Sequence, residues 1–201
     1  MAQTGELRIA APRRATGGAS GNTRLTALTA AALIVLLAVE GVTIPWIRPL
    51  LTVHVFVGML LLVPVALKLA STGYRFASYY LGRRDYVASG PPPPLMRYVV
   101  APVLVVSTIT LFASGIAAAA MGHGGPVLGL HKASFVVWFG ACSLHVLGYG
   151  LRALRYALAD RRDRLAGAGL RITLVVGAVA AGVAIALATL PLAHDWQPWA
   201  G

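Results

Sequence analysis

The sequence predicts an all-α fold, a polytopic bundle of five transmembrane helices forming a single domain. Three observations carry that prediction. The 201-residue chain is 58% hydrophobic and only 11% charged, far below the charge content of a soluble domain. Its mean hydropathy is +0.75, more apolar surface than a soluble core of this size can absorb. Five stretches are each long enough to cross a hydrocarbon layer, which takes about 20 helical residues.

The spans are expected near 25–46, 50–71, 98–120, 127–149 and 171–193. Backbone groups in lipid must be satisfied within the segment, so each span is a helix rather than a strand. The separators "IPWIRP" (44–49), "SGPPPP" (89–94) and "MGHGGP" (121–126) are rich in glycine and proline and read as turns. Residues 1–23, rich in Gly, Ala, Ser and Thr, read as a disordered tail, leaving 24–201 as the membrane domain. A cleaved signal peptide is the competing reading of this end, but the first apolar stretch is long for one and "AVEGV" (38–42) is a poor cleavage site.

Charge orients the bundle. Of the 17 Lys and Arg residues, all but Arg48 and Lys132 fall before the first span, between the second and third, at the end of the second, or around the fourth-to-fifth connection. The positive-inside rule places that side in the cytoplasm, with the N-terminus inside and the C-terminus outside. The net charge of +11 is thereby a topology signal and not a nucleic-acid footprint. The expected location is the bacterial cytoplasmic membrane, with the lipid bilayer as the first partner.

The connection over 71–97 mixes Tyr74, Phe76, Tyr79, Tyr80 and Tyr86 with Arg75, Arg83 and Arg84. Such a mixture suits the headgroup layer, so its first half either continues the second helix or lies along the surface. Pro91–Pro94 makes an extended spacer. The outer connection "MGHGGPV" is short, so spans three and four form a tight hairpin. In the last span, Gly177–Ala181 and Ala178–Gly182 are small-xxx-small pairs, a face for close packing or for a second copy of the chain.

Several chemistries are excluded. The chain has no phosphate-cradling glycine motif, no nucleophile–base pairing and no paired carboxylates. Its single cysteine, Cys142, precludes an internal disulfide framework.

The histidines remain. His131 and His145 are fourteen residues apart on the fourth span, with Trp138 midway. That spacing is about four helical turns, so the three side chains share one stripe and the imidazoles stand about 21 Å apart along the axis. Two separate sites suit this better than one. On the second span, His54 lies about as far from its helix start as His131 does from its own. The two helices run in the same direction, so the two imidazoles match in depth near the outer surface. Gly58, one turn below His54, removes a side chain where a flat cofactor needs room. The arrangement suits a porphyrin whose iron is held between His54 and His131 on facing helices. Arg48 and Lys132 are placed to neutralise its propionates.

This layout resembles the membrane b-type cytochromes of the cytochrome b561 and hydrogenase-cytochrome-b group. It is also similar to a family of small bacterial integral membrane proteins carrying "HVFVGMLLLVPVALKLASTGYRF" (54–76) and "LHKASFVVWF" (130–139) segments. The likeness runs over about residues 25–150. It implies a four-helix cytochrome-b-like core with one extra helix; in that group two helices each carry a pair of histidines, and these hold two haem b groups. His54 and His131 match the outer ligands and His145 matches one inner ligand. The fourth position holds Lys68, not histidine. A lysine must lose its proton to bind iron, so the competing reading is a side chain that snorkels to the headgroups. The resemblance thus implies one haem b, with the second site in question.

The function expected is haem-dependent electron transfer near the outer face, with a redox partner or membrane subunit still to be identified. Two alternatives stand beside it. In a haem-free scaffold, the histidines make interhelical hydrogen bonds worth roughly 1 kcal/mol each, and the fifth helix recruits a partner. In a small transporter or metal-handling protein, Glu40, Lys68 and the histidines serve as intramembrane polar groups; an outer metal site built from His123, His194, Asp195 and Glu40 belongs with this reading. Trp138, Met59, Met96 and Met121 are expected to pack.

Overall fold

The computed structural model describes residues 17–122, 124–162 and 166–196. It is helical throughout, with no strand among the described residues. In chain order the elements are α1 (Gly18–Thr43), α2 (Ile47–Tyr80), a short α3 (Arg84–Ala88), α4 (Ala101–Met121) entered through a π-helical turn at Met96–Val100, α5 (Pro126–Arg162) and α6 (Ala168–Thr189), with a 3-10 segment at Leu190–Trp196. Five helices are long and apolar enough to cross a membrane: Gly18–Thr43, Ile47–Tyr80, Met96–Met121, Pro126–Leu158 and Ala168–Ala193. Large aliphatic side chains such as Leu147, Leu151, Val136 and Val106 lie exposed on their outer faces, the pattern of a multi-pass membrane protein.

Helix ends depart from expectation in consistent ways. α1 begins at Gly18, inside the stretch read as a tail; residues 1–16 of that stretch lie outside the described residues. α2 runs on through Gly73 to Tyr80, one of the two readings of this stretch, and ends before Gly82, which takes a left-handed φ of 70°. Pro64 sits inside α2 and is fully buried. α5 likewise continues to Arg162, as a basic extension of the apolar span.

α2 packs on α1 and α6, while α5 packs on α4 and α1; α2 and α5 are not major packing partners. The core lies toward the α1 C-terminal end, where Leu33, Val57 and Leu61 meet Leu36 and Phe112, and where Met59 and Leu60 meet Ala119 and Ala186. The small residues of α6 have one settled use. Ala178, Gly182 and Ala186 form a buried stripe, and a Cβ at Gly182 would run into the backbone oxygen of Leu60. Gly177 and Ala181, the other pair, lie exposed. The stripe read as a packing or dimerising face is thus shared between an internal contact with α2 and an open side.

At the opposite end, polar side chains rivet α1 to α2. Asn22 donates to the Ser71 backbone oxygen at 3.0 Å, the Thr26 hydroxyl to Ser71 Oγ at 3.0 Å, and Arg75 to Thr23 Oγ1 at 3.1 Å. Interhelical hydrogen bonds of this kind contribute about 0.6 kcal/mol each in a membrane. Arg97 stacks over Tyr79, Tyr80 and Tyr98 and also donates to the Tyr80 hydroxyl, while Arg83 lies over Tyr74. The aromatic and basic residues of this connection consequently satisfy one another.

Candidate functional site

His54 lies in the second turn of α2 and His131 in the second turn of α5. The fold brings them together: their ring centres are 6.4 Å apart and their planes are at 83°. The helices that carry them are not packed against each other, so the imidazoles reach across from both sides. Matched depth, read from the sequence, becomes direct proximity.

Each ring is tethered through Nδ1 to a different neighbouring helix. His131 Nδ1 lies 3.0 Å from the backbone oxygen of Leu111 on α4, with Ser114 Oγ at 3.5 Å. A carbonyl oxygen only accepts, so His131 Nδ1 carries the hydrogen. On the other side, His54 Nδ1 lies 2.8 Å from Thr43 Oγ1 and 3.0 Å from Glu40 Oε1, both on α1. The Thr43 hydroxyl donates to the Glu40 backbone oxygen at 2.6 Å, so toward His54 it accepts. Both histidines thus hold the same tautomer, with Nδ1–H donating and an Nε2 lone pair left over. No hydrogen bond to either Nε2 is found among the described residues.

Glycines admit these arrangements. A Cβ at Gly115 would lie 2.9 Å from His131 Cε1 and 3.1 Å from its Nδ1, so the bare backbone of α4 is what lets the ring reach Leu111. The nearest atom to a Cβ on Gly58 would be Glu40 Oε1, at 3.5 Å. The space expected there for a flat cofactor is faced instead by the carboxylate of α1. Glu40, Thr43, Leu111, Ser114 and Gly115 were not predicted as parts of this site. The signal available for Glu40 was its position as the sole acid within the first span.

The residues present fit a bis-imidazole iron. Two metal–nitrogen bonds of about 2 Å on opposite sides of an iron would put the ring centres roughly 6 Å apart, against the 6.4 Å found. The carbonyl and carboxyl partners at Nδ1 are the usual means of orienting a ligating imidazole. Arg48 and Lys132 lie at the same ends of their helices, both exposed.

The inner candidates, Lys68 and His145, each have another contact. Lys68 Nζ donates to the Thr26 backbone oxygen at 2.9 Å, the same α1–α2 seam that Ser71 joins. His145 pairs its ring with Tyr149 at 5.2 Å between centres and has Lys68 within electrostatic reach. Trp138 donates to Thr108 Oγ1 at 3.0 Å and stacks on Phe135, tying α5 to α4. Among the described residues no group of three or more His, Cys, Asp or Glu side chains gathers to hold a bare metal ion. His123 and the side chains of His194 and Asp195 lie outside the described residues; Glu40 is committed to His54.

Comparison with protein-family models, with curated proteins and with solved structures returned no match.

Proposed function

We propose that this protein is a b-type cytochrome-like membrane protein that carries single electrons through one haem b held by His54 and His131. The observation that carries the reading is the proximity of the two rings, each with its Nδ1 engaged by a neighbouring helix. Two neutral imidazoles with centres 6.4 Å apart each spend their one N–H on a neighbouring helix. They cannot hydrogen-bond to each other, because both present lone pairs. An electrophile between them satisfies both at once, and iron is the electrophile that imidazole pairs on facing helices hold. When bound, haem supplies a one-electron couple between ferric and ferrous iron.

The chain's own residues do the rest. Leu111 and Ser114 fix the His131 ring from α4, and Thr43 and Glu40 fix the His54 ring from α1. An apolar cluster of Leu33, Val57 and Leu61 with Phe112 follows His54 along α2. Arg48 and Lys132, exposed near the same ends of α2 and α5, would meet the propionates. Lys68, held by Thr26, stays a structural residue, so electron exchange is confined to the His54 end, which charge distribution assigns to the outer face. A donor or acceptor at that face, protein or small molecule, completes the path.

The second reading is a haem-free scaffold, favoured by the way each imidazole already joins two helices. The test is the absorbance of protein purified from haem-supplied cells, wild type against His54→Ala and His131→Ala. The haem reading expects a haem spectrum in the wild type, and its loss in both variants while each still folds in the membrane. A colourless wild type that copurifies with another membrane protein would establish the scaffold.

A further inference from the structure

α5 is 37 residues long, while a hydrocarbon layer takes about 20 helical residues. Counted from Pro126, that length is used up near Val146. A Cβ on Gly148 would lie 2.8 Å from the methyl carbon of Met96, the residue at which the span of α4 begins. α5 nevertheless continues to Arg162, about 21 Å past Gly148 at the helical rise. In this extension Leu154 and Leu158 are 51% and 57% exposed, among Arg152, Arg155, Arg161 and Arg162. An exposed leucine in lipid needs no cover, but leucines standing in water among arginines do. The two belong to a longer series. Leu144, Leu147, Leu151, Leu154 and Leu158 are spaced alternately three and four residues apart, and all five are exposed. That spacing is the seam of a left-handed coiled coil. It enters the membrane through Gly140 and the exposed Val137. A Cβ on Gly140 meets nothing within 4 Å, an opening that lets a second helix approach closely in lipid. The seam lies on a different face of α5 from His131, Trp138 and His145.

We propose that α5 pairs in parallel with α5 of a second copy of this chain, along the seam from Leu144 to Leu158. Two copies in one membrane share an orientation, so their α5 extensions emerge parallel and at the same height. A leucine seam then matches itself across a two-fold axis. The flanking residues allow the match. In a parallel pair, the residue just before a seam position faces the residue five further on in the other copy. Gly150 of one copy thereby faces Arg155 of the other, and Ala157 faces Arg162, so no arginine is set against another. The seam ends at Leu158, because Arg161 takes its next place. This pairing goes beyond the electron-transfer reading and does not depend on haem.

The experiment is disulfide trapping of the full chain in phospholipid vesicles, with the single cysteine, Cys142, replaced by serine. Leu154→Cys, on the seam, is compared with Arg152→Cys, which is turned off it. The vesicles are oxidised with copper phenanthroline at falling protein-to-lipid ratios. Leu154→Cys is expected to give a covalent dimer whose yield holds on dilution and exceeds that of Arg152→Cys several-fold. Adding Leu151→Lys and Leu158→Lys is expected to abolish that dimer with helix content kept, because both side chains are already exposed. Equal yields at the two positions, or a yield that falls in step with dilution, would mean chance collision and overturn the pairing. No dimer overturns it as well, and leaves the seam to lipid or to a helix of another protein. A dimer undiminished by the two lysines overturns the leucine seam as its cause.

Discussion

The His54 and His131 rings stand nearly perpendicular, at 83°, with centres 6.4 Å apart, and each orientation is set by a different helix. Leu111 on α4 fixes one ring; Thr43 and Glu40 on α1 fix the other. The angle is thus built into the packing of α1 and α4 around α2 and α5. Were haem iron held between them, rings at this angle would leave the two iron orbitals of π symmetry close in energy. Ferric protein is accordingly expected to give a strongly anisotropic low-spin electron paramagnetic resonance signal; an ordinary rhombic signal would mean parallel rings and a different tethering.

Gly115→Ala tests the α4 tether. The added Cβ falls 2.9 Å from His131 Cε1, and the ring is not free to yield, because Nδ1 is held by Leu111. Losing an orienting partner of a metal ligand weakens binding by about 10–100-fold. Haem per chain, measured after dilution and washing, is expected to fall sharply while helix content stays at the wild-type level. Retention at the wild-type level would show that the Leu111 contact does not matter.

Lys68→Met separates the two readings of the lysine. Its ammonium is used on the Thr26 oxygen at 2.9 Å, a contact worth about 0.6 kcal/mol, part of which relief from burying a charge offsets. Haem stoichiometry and the visible spectrum are expected to be unchanged, with thermal stability shifted only slightly. Loss of a haem band in this variant would make Lys68 a ligand or a close support of one.

The two small-residue pairs of α6 are expected to behave differently. Gly182→Val forces a side chain into the Leu60 backbone, and overpacking of this kind costs at least about 1–3 kcal/mol. A fall in the thermal unfolding midpoint in detergent is predicted. Gly177→Val adds its side chain where a Cβ meets nothing within 4 Å and is expected to leave that midpoint alone. A change in oligomeric state in Gly177→Val would assign the exposed pair to contact with a second copy.

Much of the architecture was legible because lipid leaves so few options. Five apolar stretches separated by glycine and proline turns give five helices, and alternating direction gives the matched depth of His54 and His131. Helix ends were less legible: the polar residues of 72–80, with Gly73 among them, look like a connection in sequence, yet α2 continues through them. The histidine pair was readable, but its tethers were not. Leu111 contributes only a backbone oxygen, which no side chain advertises. Gly115 matters because it stands one turn from Leu111 and opposite His131, a relation that depends on how α4 rotates against α5. Glu40 was visible as an isolated acid, but only the packing of α1 on α2 joins it to His54 rather than to the far end of the chain.

The most direct measurement is a reduced-minus-oxidised absorbance spectrum of the detergent-purified wild type, with haem counted per chain by extraction. A b-type spectrum with one haem per chain, held by His54 and His131, is the expected result. Two haems per chain would contradict the structural role given to Lys68, and none, from cells supplied with haem, would contradict the central claim.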